Sequence, residues 1–196
     1  MYCSPLYPFC SIFHSDFLKV KWIALLLCML AMLNASPATS EQAAVIKDNS
    51  GRTLALEKPF TRIISLYSAH TENLCSLGAE KYLIGISPTD DYPLSILNRR
   101  RFSYREDPEK CIAARPDLVL VRPMIERSSP QFIKKLEQGG ITVVSLQPAS
   151  VEELFDYWRT LGLLTGKTEQ AEKMTFSFQD GLKKVQERLS DIPLED

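Results

Sequence analysis

Short apolar runs rich in β-branched residues recur along this chain, each followed by a segment of helical spacing. That alternation most constrains the fold. Residues 62–66 (RIISL) carry the signature of a buried strand, and helical spacing over 71–77 follows until Gly78 closes it. Residues 82–86 read as a second strand, ending at Ser87-Pro88. Asp107-Pro108-Glu109 opens a helix, with Asp as cap, Pro in the first turn and Glu favoured by the helix dipole. That helix ends at Arg115 before Pro116, and 117–121 (DLVLV) form the next strand. Residues 129–138 predict a helix stopped by Gly139-Gly140, and 141–146 (ITVVSL) a fourth strand. Four such units predict an α/β fold, a parallel sheet covered by helices on both faces.

The flanks add three elements. Residues 44–46 and 53–56 alternate around Asn49-Ser50-Gly51, which predicts a hairpin over 44–57. Ser150 and Glu153 form a capping box that opens a helix over 151–164. After Thr165-Gly166, apolar residues at Ala171, Met174, Phe178, Leu182, Val185 and Leu189 predict one long amphipathic helix from about 168 to 189. A helix of that length at the end of a small α/β unit reads as a strut leading elsewhere.

The first forty residues read differently. Lys19 and Lys21 precede 22–33 (WIALLLCMLAML), an uncharged run shorter than the about 20 residues that span a bilayer. The small residues of 34–38 follow it like a cleavage region, so residues 1–38 are expected to be an export signal. Residues 1–17 are nearly uncharged and aromatic, an over-extended N-terminus, and the expected start of translation lies near Leu18. Only Cys75 and Cys111 would then reach an oxidising compartment, each in an apolar helical pattern, as separate buried thiols.

Charge and motifs exclude several function classes. Lys and Arg total 23 against 24 Asp and Glu, so no net field recruits nucleic acid. The five Cys form no CxxC pair and have no His at ligand spacing, so no metal site is expected. Residues 162–168 (GLLTGKT) have three residues between glycines where a phosphate loop needs four, and they follow a helix. Gly166 reads instead as a helix stop and Thr168 as the next cap. No GxSxG elbow occurs, and Asp90-Asp91 suit a turn better than acid–base work, so no catalytic set is expected.

In an open parallel sheet, ligands sit beyond the carboxyl ends of the strands. Those ends carry residues 67–70 (YSAH), 89–93 (TDDYP), 122–124 (RPM) and Gln147-Pro148. Tyr67, Ser68, His70, Asp91, Tyr92 and Arg122 are therefore the expected ligand-binding residues, on one face, with the two tyrosines suited to stacking. Arg99-Arg100-Arg101, with Arg105 close behind, is either a solvated loop or an attractor of an anionic ligand.

Residues 62–93 (RIISLYSAHTENLCSLGAEKYLIGISPTDDYP) resemble the opening of the periplasmic solute-binding proteins of iron-siderophore, haem and cobalamin ABC importers. DPEKCIAARPDLVL and GITVVSLQPASVEELFDYWRTLGLLTG resemble the segments that follow in that family, so the likeness covers about 45–190. The family's usual Val-Gly-Gly stretch is replaced here by Arg101-Phe102-Ser103-Tyr104. The resemblance implies an N-terminal Rossmann-like lobe over 60–166 and a connecting helix over 167–190. Residues 191–196 would be a truncated end, where the family continues into a second lobe. It implies a periplasmic, monomeric, non-enzymatic carrier with no permanently bound cofactor. Such a carrier captures an iron complex, haem or cobalamin and hands it to an inner-membrane ABC permease. Glu109 matches the family's glutamate that docks on the permease. The rivals are an α/β enzyme of flavodoxin-like or hydrolase type, and a dedicated haem protein using Tyr67 or His70 as axial ligand.

Overall fold

The computed structural model describes residues 44–190. The expected export signal over residues 1–38 and the expected truncated end over 191–196 lie outside the described residues. β1 (Ala44–Lys47) and β2 (Thr53–Leu56) pair antiparallel, and the turn between them uses Gly51 at φ +83°. The remaining strands form one sheet: β3 (Ile63–Ser65), β4 (Leu83–Ile86), β5 (Arg100–Arg101), β6 (Leu118–Val121) and β7 (Thr142–Ser145). Their order is β5-β4-β3-β6-β7, and every pairing is parallel.

The helices are α1 (Ser68–Ser76), α2 (Glu109–Ala113), α3 (Pro123–Ser128), α4 (Pro130–Gln138), α5 (Val151–Thr165) and α6 (Thr168–Leu189). Strand periodicity divides the core between them. In β6, Leu118 and Leu120 face a cluster with Leu74 of α1, Leu77 at its C-cap, and Trp158 and Leu161 of α5. Val119 and Val121 face the opposite cluster, with Cys111 of α2, Ile125 of α3, and Phe132 and Leu136 of α4. A strand buried on both faces has no polar alternation to show, which is why DLVLV reads as a continuous run.

Local chemistry sets the ends of these elements. Ser150 Oγ accepts the Glu153 N–H at 3.2 Å, while the Glu153 carboxylate accepts from Ala149 N at 2.7 Å, so the box closes one residue further out than the simple pattern. Gly166 ends α5 in the left-handed region, at φ +66°. Thr168 is not the cap of α6, as expected, but its first residue; Lys167 occupies the cap position without a side-chain bond. A Cβ on Gly162 would meet Ala171 Cβ at 2.7 Å, so glycine there lets α5 and the start of α6 approach closely.

Two elements escape the sequence reading. β5 is two residues long and consists of arginines that read as a loop. α3 begins at Pro123, a residue that reads as loop but is pre-organised for a helix start. Among the described residues, no helix is long and apolar enough to cross a membrane.

Candidate ligand-binding site

The chain leaves β3 toward β4 on one side of the sheet and leaves β6 toward β7 on the other. The connecting helices pack on opposite faces, α1 on one and α3 with α4 on the other. The sheet order therefore reverses between β3 and β6, and a crevice opens where the two connections diverge. Tyr67 leaves β3 at this point and Arg122 leaves β6. Their side chains meet there, with the Arg122 guanidinium carbon 4.6 Å from the centre of the Tyr67 ring.

A cavity of about 420 Å³ opens around this pair. Its walls come from the carboxyl ends of four neighbouring strands. Tyr67 and Ser68 follow β3, and Ser87 and Thr89 follow β4; Tyr104 and Arg105 follow β5, and Arg122 and Met124 follow β6. Arg105 sits over Tyr104 at 5.4 Å, a second stack of the same kind. The fifth loop does not join them. Gln147 and Pro148 line a separate cavity of about 150 Å³ with Tyr157 and Glu153. The turn of the hairpin reaches this edge as well, because the buried Asp48 carboxylate accepts from Ser145 N at 3.0 Å and Asn49 Oδ1 accepts from Gln147 N at 2.9 Å.

A polar scaffold holds the cavity wall. Asp90 is 2% exposed, and its carboxylate accepts Ser68 Oγ at 2.7 Å, Thr71 Oγ1 at 2.6 Å and Ser87 N at 3.2 Å. One carboxylate thereby ties the loop after β4 to the first turn of α1. Arg101 completes the tie, donating to the carbonyls of Ser87 at 3.0 Å, Pro88 at 3.2 Å and Asp90 at 3.0 Å. The arginine run thus divides: Arg101 is consumed by the fold, whereas Arg105 faces the cavity.

The structure brings Tyr67, Ser68 and Arg122 together and treats the other expected residues differently. Asp91 and Tyr92 stand on the exposed loop outside the cavity, Tyr92 with 63% of its surface open, next to a cis peptide bond to Pro93. His70 is not on the ligand face at all. It is wholly buried, its Nε2 3.0 Å from the Val121 carbonyl and its Nδ1 2.8 Å from the Tyr157 hydroxyl. The carbonyl can only accept, so Nε2 carries the proton and Nδ1 accepts from Tyr157. Burial, reinforced by the charge of Arg122, lowers the His70 pKa to about 4 against the opposing Val121 bond. With both ring nitrogens engaged inside the fold, His70 offers no lone pair to a haem iron.

Glu109 is exposed at the first position of α2, and its N–H is held by Asp107 Oδ1 at 3.1 Å. Cys75 is half-buried and Cys111 buried; both are free thiols, each pushed up to about 11 chiefly by burial. Among the described residues, no group of three or more His, Cys, Asp and Glu is placed to hold a metal ion. Thr89 falls in a loop expected at the ligand face, and Arg105 in the basic run read as a solvated loop or an anion attractor; Ser103 and Tyr104 are missed as cavity residues. They follow β5, and a two-residue strand leaves no periodic signal to place what comes after it.

This architecture has relatives. Residues 63–194 match the family model described as periplasmic binding protein. An uncharacterized ABC transporter substrate-binding lipoprotein of Bacillus subtilis (strain 168), YvrC, is 27% identical over 184 residues, covering 87% of this chain and 59% of that protein. A possible iron-binding (periplasmic solute-binding) protein from Staphylococcus epidermidis ATCC 12228 superposes with a TM-score of 0.62 at 30% identity, over 71% of this chain and 54% of that one. The periplasmic vitamin B12 binding protein BtuF of Vibrio cholerae gives a TM-score of 0.57 at 26% identity, over 68% and 52%. The chain thus spans little more than half the length of the proteins it matches. With the match covering all five strands of the parallel sheet and all six α-helices, the chain belongs to the periplasmic binding protein family.

Proposed function

We propose that this chain is the N-terminal lobe and connecting helix of the substrate-binding component of an ABC importer. It captures a metal chelate outside the inner membrane and delivers it to the permease. The observation that carries the reading is the cavity at the sheet's reversal point, walled by two tyrosines and two arginines; its hydroxyl–carboxylate contact, Ser68 with the buried Asp90, is engaged in holding the wall. That favours capture over catalysis. The named ligands of its relatives, iron and vitamin B12, support an iron complex or cobalamin as cargo, with haem a third candidate.

In this reading α6 joins two lobes. Its exposed Leu182, Val185 and Leu189 support a second lobe packing on its distal half. A single lobe supplies half the contacts, so its own affinity is expected to be weak. Residues 1–38 direct export and are removed, and mass spectrometry of the protein from its native host checks that end; a mature N-terminus before Trp22 would refute it. Glu109, exposed at the first position of α2, docks on the permease, because charge pairs steer and orient such encounters.

Titration of the purified chain with haem, cyanocobalamin and a ferric siderophore tests the carrier role. Binding of one of them is expected, and a Soret shift on adding haem identifies that cargo. Failure of all three, with turnover of a small substrate instead, would favour the enzyme reading. In the two-lobed protein, Glu109→Arg is expected to leave ligand affinity unchanged and to abolish uptake in cells. Uptake that survives the reversal would reduce Glu109 to a helix-start residue.

A further inference from the structure

The charge of the cavity wall is one-sided. Two guanidinium groups line it, Arg105 and Arg122, and no carboxylate does among the described residues of its wall. Arg105 is exposed and Arg122 partly so. Of the acids close to the wall in the chain, Asp90 is buried and already accepts three hydrogen bonds, and Glu106, next to Arg105, pairs with Lys110. Neither cavity arginine makes an ion pair with any described residue, whereas Arg52 and Arg159 both do. A ligand anion would therefore meet two cations without first displacing an internal carboxylate.

The stacking geometry adds specificity to charge. A guanidinium laid on an aromatic ring keeps its plane fixed and its N–H edge free. Arg122 sits over Tyr67 and Arg105 over Tyr104, at 4.6 and 5.4 Å from the ring centres, and neither is paired with a described carboxylate, so their N–H groups remain for what enters. That edge matches paired oxygens, as in a carboxylate or the oxygens around a chelated metal. The hydroxyl-bearing residues Thr89 and Ser103 also line the cavity. A neutral or cationic ligand would have to cover both guanidinium groups without compensating their lost hydration.

We propose that this cavity selects a metal chelate of net negative charge, with carboxylate or catecholate oxygens, gripped by Arg122 and Arg105. It discriminates against uncharged chelates of the same metal. The proposal rests on the binding-protein reading and narrows it to a ligand class.

Gallium(III), a diamagnetic substitute for iron(III), permits a test at the weak affinities expected of one lobe. The purified chain is titrated by amide NMR with gallium(III) tris-catecholate, which is strongly negative, and with gallium(III) tris-acetohydroxamate, which is uncharged. The anionic chelate is expected to shift the amides of Tyr67, Ser68 and Arg122 and to bind about tenfold tighter than the neutral one, the factor for one charged hydrogen bond. Arg122→Gln and Arg105→Gln should each weaken binding of the anionic chelate several-fold more than binding of the neutral one. Arg122→Lys should retain part of the preference, and its spectrum separates lost binding from lost folding. Equal or tighter binding of the neutral chelate, or an equal loss for both chelates in Arg122→Gln, would overturn the proposal while leaving metal-chelate capture intact. Absence of binding to either chelate would overturn both.

Discussion

Tyr67 and His70 lie three positions apart at the start of α1, their rings 5.1 Å apart and nearly perpendicular, yet they belong to different regimes. Tyr67 lines the open cavity and carries Arg122 on its face. His70 is wholly buried and bonded to Tyr157, which α5 delivers from 87 residues further along the chain. On the open side, polar groups keep unused valence: Arg122 has no ion pair with a described residue. On the sealed side, valence is exhausted, since both His70 nitrogens are bonded and burial keeps the ring neutral. Standing at the carboxyl edge of a sheet is therefore not enough to make a residue available to a ligand. What covers the edge decides.

The contrast can be broken most directly at His70. His70→Ala should destabilise the fold by about 3–5 kcal/mol, because it leaves a cavity and strands the buried Val121 carbonyl and Tyr157 hydroxyl. Urea unfolding measures this, and an unchanged midpoint would mean that the sealed side is not a structural hub.

A pH series sharpens the same point. Between pH 6.5 and about 4 the unfolded chain binds a proton at His70 that the folded one refuses, so stability is complete above that window and lost as pH falls through it. The expected loss is about 3 kcal/mol from this group, and His70→Gln should remove that part of the slope. A slope unaltered in the variant would assign the acid sensitivity elsewhere.

The smallest effects belong to the open side. Tyr67→Phe and Arg122→Gln should each change stability by less than about 1 kcal/mol, the scale of one exposed cation–π contact. A loss as large as that of His70→Ala would show that the cavity wall is a buried network rather than a free surface.

Much of this arrangement is legible in the residues. The run DLVLV, the stops at Gly78 and Gly166, and Ser150 with Glu153 each report a local preference, and each sits where local physics puts it. Tyr67, Ser68 and Arg122 are readable as edge residues because they follow strands directly. Asp90 and Asp91 are not distinguishable in the same way: they are adjacent acids, but one is buried among three donors and the other is exposed. Arg101 and Arg105 likewise belong to one basic run, and only their neighbours separate the tie from the cavity wall.

Local preference and binary patterning determined, from sequence alone, that this is a parallel α/β lobe ending in a long helix. These act over a few residues and need no partner to be read. The tertiary structure decided which polar groups are spent and which remain available. That depends on contacts between segments far apart in the chain, such as Tyr157 with His70 or Arg101 with the loop after β4. The two halves of α6 show the same division. One apolar period runs through the helix, but Ala171 and Thr175 are buried while Val185 and Leu189 are more than half exposed. The pattern specifies a face; only the presence of α5 beside the first turns determines where that face is covered.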